Sequence, residues 1–124
     1  MKALLVEDNA LIRKVAGSML DKLGYETDFA EHGEIAVEKC RDRRYDVVLM
    51  DMHMPVMEGD EATRRIRRLP PPNGQVHIIA VTATDNADER AKIAESGMNS
   101  FLMKPFTLEA LEEALSALTP KRGE

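Results

Sequence analysis

Five polar side chains stand where this 124-residue chain could do chemistry, each placed directly after a short apolar run. Glu7 and Asp8 follow Ala3-Leu4-Leu5-Val6, and Asp51 follows Val47-Val48-Leu49-Met50. Thr82 follows Ile78-Ile79-Ala80-Val81, and Lys104, itself followed by Pro105, ends Phe101-Leu102-Met103. Each has an ordinary use alone: Asp8 or Asn9 could cap a helix, Thr82 could sit in a turn, and Lys104 could be a surface charge. As a set they point elsewhere. Three carboxylates meeting at one point repel, and at least one is pushed toward protonation unless a cation joins them. All-oxygen ligation by few protein groups favours magnesium, which keeps several waters and shares its shell with phosphate. A lysine and a hydroxyl nearby suit phosphoryl oxygens. A carboxylate can itself be the nucleophile and form an acyl phosphate. The implied chemistry is phosphoryl transfer onto an aspartate.

That chemistry requires a fold that gathers four strand ends. The three runs before Glu7, Asp51 and Thr82 are nearly continuous in apolar character, as parallel strands covered on both faces are. Tyr25 to Ala30 alternates apolar with charged residues, and Phe101-Leu102-Met103 is short; both suit edge strands. Helical periodicity fills the gaps. Ile12, Val15, Ala16, Met19, Leu20 and Leu23 make one apolar face, stopped by Gly24. The second helix surrounds Ala36, Val37 and Cys40, and the third Ala62, Ile66 and Leu69, ahead of Pro70-Pro71-Pro72. Ala87, Ala91, Ala94 and Met98 mark the fourth. Leu108, Leu111, Leu115 and Leu118 mark the last, with Thr107 as its N-cap. The expected fold is α/β: a doubly wound, five-stranded parallel sheet in the flavodoxin-like order 2-1-3-4-5, with helices on both faces. Ligands of such sheets bind outside the carboxyl ends of the strands, at the switch in strand order, where these polar residues collect.

Composition narrows the class. The length suits one domain, expected over residues 1–119, with 120–124 as a polar C-terminal tail. A net charge of −5 argues against direct nucleic-acid binding. No stretch approaches a membrane span and no signal-peptide pattern opens the chain, so a cytoplasmic protein without membrane insertion is expected. Cys40 is the single cysteine; its place in the helical pattern makes it a buried core thiol.

Taken together, Glu7-Asp8, Asp51, Thr82 and Lys104-Pro105, with Asp51-Met52-His53-Met54-Pro55, Gly59 and Phe101, resemble the signature of response-regulator receiver domains. The resemblance runs from about Lys2 to Leu118 and is specific as a set. It implies that Asp51 is the phosphoacceptor, and that Asp8 and Asp51 bind magnesium directly with Glu7 acting through water. It implies a further ligand from the backbone carbonyl of His53. Lys104, set by a cis bond to Pro105, would pair with a phosphoryl oxygen. Thr82 would move toward the phosphoryl group and Phe101 would swing into the space it leaves. The surface around the fourth helix, fifth strand and fifth helix would then change. His53 and Thr84 stand where the family tunes acyl-phosphate hydrolysis, and Ala83 is small enough to leave the phosphoryl path open. The His53 ring itself is expected to be exposed and without a metal role, since His32 and His77 offer no partner spacing.

The implied phosphodonor is a histidine kinase or histidine phosphotransfer protein; the implied output is an unidentified protein or a covalently linked domain. Such a chain catalyses its own phosphorylation and loses the group by autodephosphorylation without being an enzyme in the turnover sense. Gly97 to Pro105 and the proline-rich loop resemble receivers attached to hybrid histidine kinases; Asn99-Ser100 stands where the winged-helix subclass carries an acidic pair. Three other readings fit less well. A flavin-binding domain needs a phosphate cradle where Glu7-Asp8-Asn9-Ala10 is acidic. A haloacid-dehalogenase-type phosphatase needs an acid at His53. A degenerate receiver serving only as a protein-binding module would have lost a site residue, and none is lost.

Overall fold

The computed structural model describes residues 1–118, so the tail expected at 120–124 lies outside the described residues. Strands β1 (Lys2–Val6), β2 (Glu26–Ala30), β3 (Val47–Asp51), β4 (His77–Thr82) and β5 (Ser100–Met103) alternate with helices α1 (Ala10–Lys22), α2 (Gly33–Asp42), α3 (Gly59–Arg67), α4 (Ala87–Ser96) and α5 (Leu108–Leu115). All neighbouring strands are parallel, in the order β2-β1-β3-β4-β5, which is the doubly wound fold expected from the apolar runs. β3 is buried along its whole length, whereas β2 buries only Ala30 fully, as an edge strand does.

Because successive strand residues face opposite sides, the sheet feeds two cores. Leu4, Val6, Val48, Met50, Ile78 and Ala80 face α2, α3 and α4 through Ala36, Cys40, Ala62, Ile66 and Ile93. Ala3, Leu5, Val47, Leu49, Ile79 and Val81 face α1 and α5 through Ala16, Leu20, Leu111 and Leu115. Cys40 is buried and desolvation pushes its thiol up to about 12, the state of an inert core thiol. Register sets the ends flush: Val6 pairs with Met50, Asp51 with Val81, and Thr82 with Met103. No helix among the described residues is long and apolar enough to cross a membrane.

Helix ends are held by local hydrogen bonds. Of the two candidate caps for α1, Asn9 is used: its Oδ1 accepts from the Ile12 N–H at 3.0 Å, which leaves the Asp8 carboxylate out of the cap. Asn86 caps α4 by accepting from the Glu89 N–H, and Thr107 caps α5 by accepting from the Ala110 N–H. Gly24 ends α1 at a φ of 89°, a conformation in which a side chain would be strained.

Two helix faces differ from expectation. On α1, Ala16 and Leu20 are buried, but Ile12 and Val15 are exposed beside Leu11; the apolar stripe is wider than the sheet can cover. On α4, Ala87, Ala91 and Ala94 face solvent, and the buried positions are Glu89, Ile93 and Ser96. Alanine carries too little apolar surface to decide which face turns inward, so the helix is oriented by Ile93 and by partners for the Glu89 carboxylate.

At the far end of the sheet, Arg67 closes the loops behind α3. Its guanidinium donates to the carbonyls of Gly97 (2.9 Å), Gly74 (2.8 Å) and Val76 (2.7 Å) and to Asn99 Oδ1 (2.9 Å). Asn99 Oδ1 also accepts from the Ile78 N–H, so the clamp reaches the start of β4. Arg67→Ala takes this donor from the three carbonyls, leaves Asn99 Oδ1 only the Ile78 N–H, and is expected to cost about 2–4 kcal/mol in denaturant unfolding, with Arg67→Lys in between. An Arg67→Ala chain as stable as the parent would show that the clamp carries no weight.

Candidate functional site

At the flush carboxyl ends of β1 and β3, oxygens of Glu7, Asp8 and Asp51 all lie within 4.8 Å of one another. Glu7 and Asp51 are each 3% exposed, while Asp8 faces solvent. Lys104, one residue past β5, reaches back over them: its Nζ is 3.2 Å from Asp51 Oδ1 and 3.5 Å from Glu7 Oε1. The Lys104 N–H donates to the Thr82 carbonyl at 2.8 Å, which ties the ends of β4 and β5 together, and the Lys104–Pro105 bond is cis. The structure thus gathers Glu7, Asp8, Asp51 and Lys104 directly.

Backbone contacts fix these carboxylates. The Asp51 Oδ1 accepts from the His53 N–H at 3.2 Å, and the Glu7 Oε2 accepts from the Asn9 N–H at 3.1 Å. Arg13 donates to the Glu7 carbonyl at 2.9 Å. Gly59 lets α3 start directly behind the site: a Cβ there would sit 2.3 Å from the Asp51 carbonyl oxygen, so only glycine fits. Burial raises the Glu7 carboxyl above its ordinary range and the charges of Asp51 and Asp8 add to this, while the Asn9 N–H and the Lys104 ammonium offset it only in part. An all-oxygen acidic cluster, one member of which has its affinity for a proton raised, suits a hard divalent cation.

Thr82 and Phe101 lie on the α4 side. The Thr82 hydroxyl is buried and is 2.7 Å from Glu89 Oε2 and 3.1 Å from the Thr84 carbonyl; it accepts from the Thr84 N–H at 3.3 Å. Glu89 Oε2 also meets His53 Nε2 at 3.1 Å, and His53 Nδ1 meets Glu58 Oε1 at 3.1 Å. The His53 ring is exposed as expected, yet it bridges two carboxylates. Its hydrogen bond to Glu58, aided by Glu89, raises its affinity for a proton. Arg90 lies over the Phe101 ring, 5.0 Å from its centroid. Glu89 and Arg90 escaped the sequence reading. The available signal was an acid at position i with Ile93 at i+4 and Ser96 at i+7, a spacing that turns all three to one face.

Beside the carboxylates, Leu11, Ile12, Val15, Ala83, Lys104, Pro105 and Phe106 line a groove of about 450 Å³. Its walls are overwhelmingly apolar, and Lys104 is shared between groove and site. Val15 is 49% exposed there.

Comparison with known proteins agrees with this arrangement. The response regulator receiver domain family matches residues 3–116. A hybrid signal transduction histidine kinase A of Dictyostelium discoideum is 38% identical over 118 residues, 93% of this chain; the chain spans only 6% of that kinase's length. The receiver domain of the Pseudomonas aeruginosa sensor histidine kinase PA1611, solved with magnesium coordinated in its active-site cleft, is 40% identical with a TM-score of 0.87, covering 94% of this chain and 95% of that one. The receiver domain of Saccharomyces cerevisiae Ssk1, solved with the histidine phosphotransfer protein Ypd1, is 31% identical with a TM-score of 0.86, covering 94% and 86%. With the motif set, the strand order and the gathered acidic cluster in agreement with these matches, the chain belongs to the response regulator receiver domain family, the receivers of two-component phosphorelay signalling.

Proposed function

We propose that this receiver accepts a phosphoryl group onto Asp51 from a phosphohistidine of a histidine kinase or histidine phosphotransfer protein, in a magnesium-dependent reaction. The reading rests chiefly on Lys104 Nζ standing 3.2 Å from Asp51 Oδ1 at the edge of the three-carboxylate cluster. Glu7, Asp8, Asp51 and the His53 carbonyl would hold magnesium, which when bound offsets the negative charge of the carboxylates and of the incoming group. The Asp51 carboxylate oxygen forms a bond to phosphorus while the phosphorus–nitrogen bond breaks and its electron pair returns to the donor imidazole. Lys104 donates to a phosphoryl oxygen. Thr82 turns its hydroxyl to another, and Phe101 moves into the space vacated. The surface of α4, β5 and α5 then changes its affinity for an output protein or linked domain. The acyl phosphate hydrolyses in place, with His53 and Thr84 setting the rate. The full set Glu7, Asp8, Asp51, Thr82 and Lys104 disfavours a degenerate, binding-only receiver.

The donor's route follows from the groove. A protein that delivers a phosphoryl group to Asp51 must cover the rim of the cleft, and the apolar side of that rim is Leu11, Ile12, Val15, Pro105 and Phe106. Exposed apolar surface continuous with a reaction site is the mark of a protein-binding surface. We assign it to the phosphohistidine-bearing donor.

Three outcomes are expected. Radiolabelling by acetyl phosphate should require magnesium, stop in excess chelator and vanish in Asp51→Asn, whose amide is a poor nucleophile and metal ligand; undiminished labelling of either sample would refute the assignment. At a pH just above the ordinary carboxylate range, magnesium binding should release protons, because the raised Glu7 carboxyl must ionise to serve the metal. Calorimetry in buffers of different ionisation enthalpy reads this, and equal heats would count against it. Leu11→Gln with Val15→Gln adds no charge and keeps good helix formers. It should slow transfer from a phosphorylated donor protein about tenfold while acetyl phosphate labelling is unchanged; equal slowing of both would show that the groove is not a docking surface.

A further inference from the structure

We propose that Glu89 is a positioning residue that latches the unphosphorylated state, its carboxylate taking the one hydroxyl proton of Thr82 that a phosphoryl oxygen on Asp51 would otherwise receive. The inference builds on the reading of Asp51 as phosphoacceptor and of Thr82 as the hydroxyl that turns toward it.

A threonine hydroxyl has a single proton. Two acceptors stand within reach, Glu89 Oε2 at 2.7 Å and the Thr84 carbonyl at 3.1 Å. The nearer, charged acceptor takes it, since charge-assisted bonds are the shorter and stronger kind. Glu89 is only 5% exposed, and a carboxylate withdrawn from water persists only with hydrogen-bonding partners. Its side-chain partners are Thr82 and His53 Nε2, at 2.7 and 3.1 Å. When Thr82 leaves for a phosphoryl oxygen, Glu89 loses one of them. The cost of that loss falls on the turn of α4 that carries it.

The latch is anchored on both sides. The Glu89 N–H is held by the Asn86 cap at 2.8 Å, so the residue sits at the fixed first turns of α4. His53, which steadies the carboxylate, lies two residues after Asp51 and is held from behind by Glu58 at 3.1 Å. Glu58 directly precedes α3, so the chain Glu58–His53–Glu89–Thr82 joins the loop after β3 to α4 and to the end of β4. The next residue, Arg90, covers the Phe101 ring at 5.0 Å. One turn of α4 therefore contacts both side chains that must move. A switch of this kind is two packed arrangements of the same groups, biased by which acceptor holds the Thr82 proton.

The test is the affinity of the full chain for beryllofluoride, a phosphoryl mimic, with magnesium present, read by amide chemical shifts. In Glu89→Ala the free protein's shifts at Thr82, Ala83 and Phe101 should move part of the way along the line from free to mimic-bound parent. The mimic should bind about tenfold more tightly, the order expected for losing one charge-assisted bond in the off state. Glu89→Gln keeps an acceptor oxygen without the charge and should show a smaller gain. Removing a negative charge near an anion also favours binding, so the deciding measurement is the same substitution in a Thr82→Ala background. If Glu89 acts through the hydroxyl, the gain disappears there. A gain of equal size in that background, or unchanged or weaker binding in Glu89→Ala, overturns the latch. Failure of the parent chain to bind the mimic at all would instead overturn the Asp51 assignment, and the latch with it.

Discussion

Repulsion among Glu7, Asp8 and Asp51 is the constraint around which the rest of this structure is arranged. Two unit charges 4.8 Å apart repel by about 3 kcal/mol at an effective dielectric near 20. Glu7 and Asp51 meet inside the protein, where water relieves little of this. Lys104 is the one ammonium in direct contact with them among the described residues. Formally, three carboxylates and one ammonium leave two negative charges to be met. That excess explains why the neighbouring backbone turns N–H groups toward the carboxylates, from Asn9 to Glu7 and from His53 to Asp51. Burial first, and then the charges of Asp51 and Asp8, leave Glu7 with a raised affinity for a proton.

Holding like charges together needs a frame that cannot relax. The register of the central strands supplies it: β1, β3 and β4 are almost wholly buried and hydrogen-bonded in parallel, so their ends cannot slip by one residue without turning every side chain to the other core. Gly59 and the Lys104-to-Thr82 backbone bond then bring α3 and β5 up to the same edge. This is why so much was legible in the sequence. A parallel strand buried on both faces has to be a continuous apolar run, and a residue that ends it at the ligand-binding edge has to be polar for a reason other than solubility. Glu7, Asp8, Asp51 and Thr82 could be read as one group because the runs before them were unambiguous, and Lys104 joined them from the short edge run Phe101-Leu102-Met103.

The helices were less legible because their faces are decided by what they meet. The pattern of α1 shows an apolar stripe but not that Ile12 and Val15 lie beyond the sheet's cover, since burial depends on the width of the surface opposite. On α4 the alanines misled: a residue with one methyl group is compatible with either side of a helix. The inward face carries a carboxylate, and no periodicity of hydrophobicity finds that. Glu89 turns inward because Thr82 and His53 offer it hydrogen bonds, and those partners come from two other segments of the chain. Such a contact exists only once the fold does.

The two illegible features flank the legible one. The exposed stripe of α1 belongs to the sheet face that α1 shares with α5, and Glu89 belongs to the face covered by α2, α3 and α4. The ends of β3 and β4 lie between them. A donor seated on α1, Pro105 and Phe106 would reach Asp51 and Lys104 without touching the Glu58–His53–Glu89–Thr82 chain. On the proposed reading, delivery of the phosphoryl group and the response to it would be separable: the first would need an apolar rim that stays open, the second a polar network that is satisfied until Thr82 leaves it. An apolar contact in place of Glu89 would pack as well but could not compete for a hydroxyl proton. Buried polar groups cost stability unless every partner is present, and this one is placed where losing a single partner bears on both Thr82 and the helix beside Phe101.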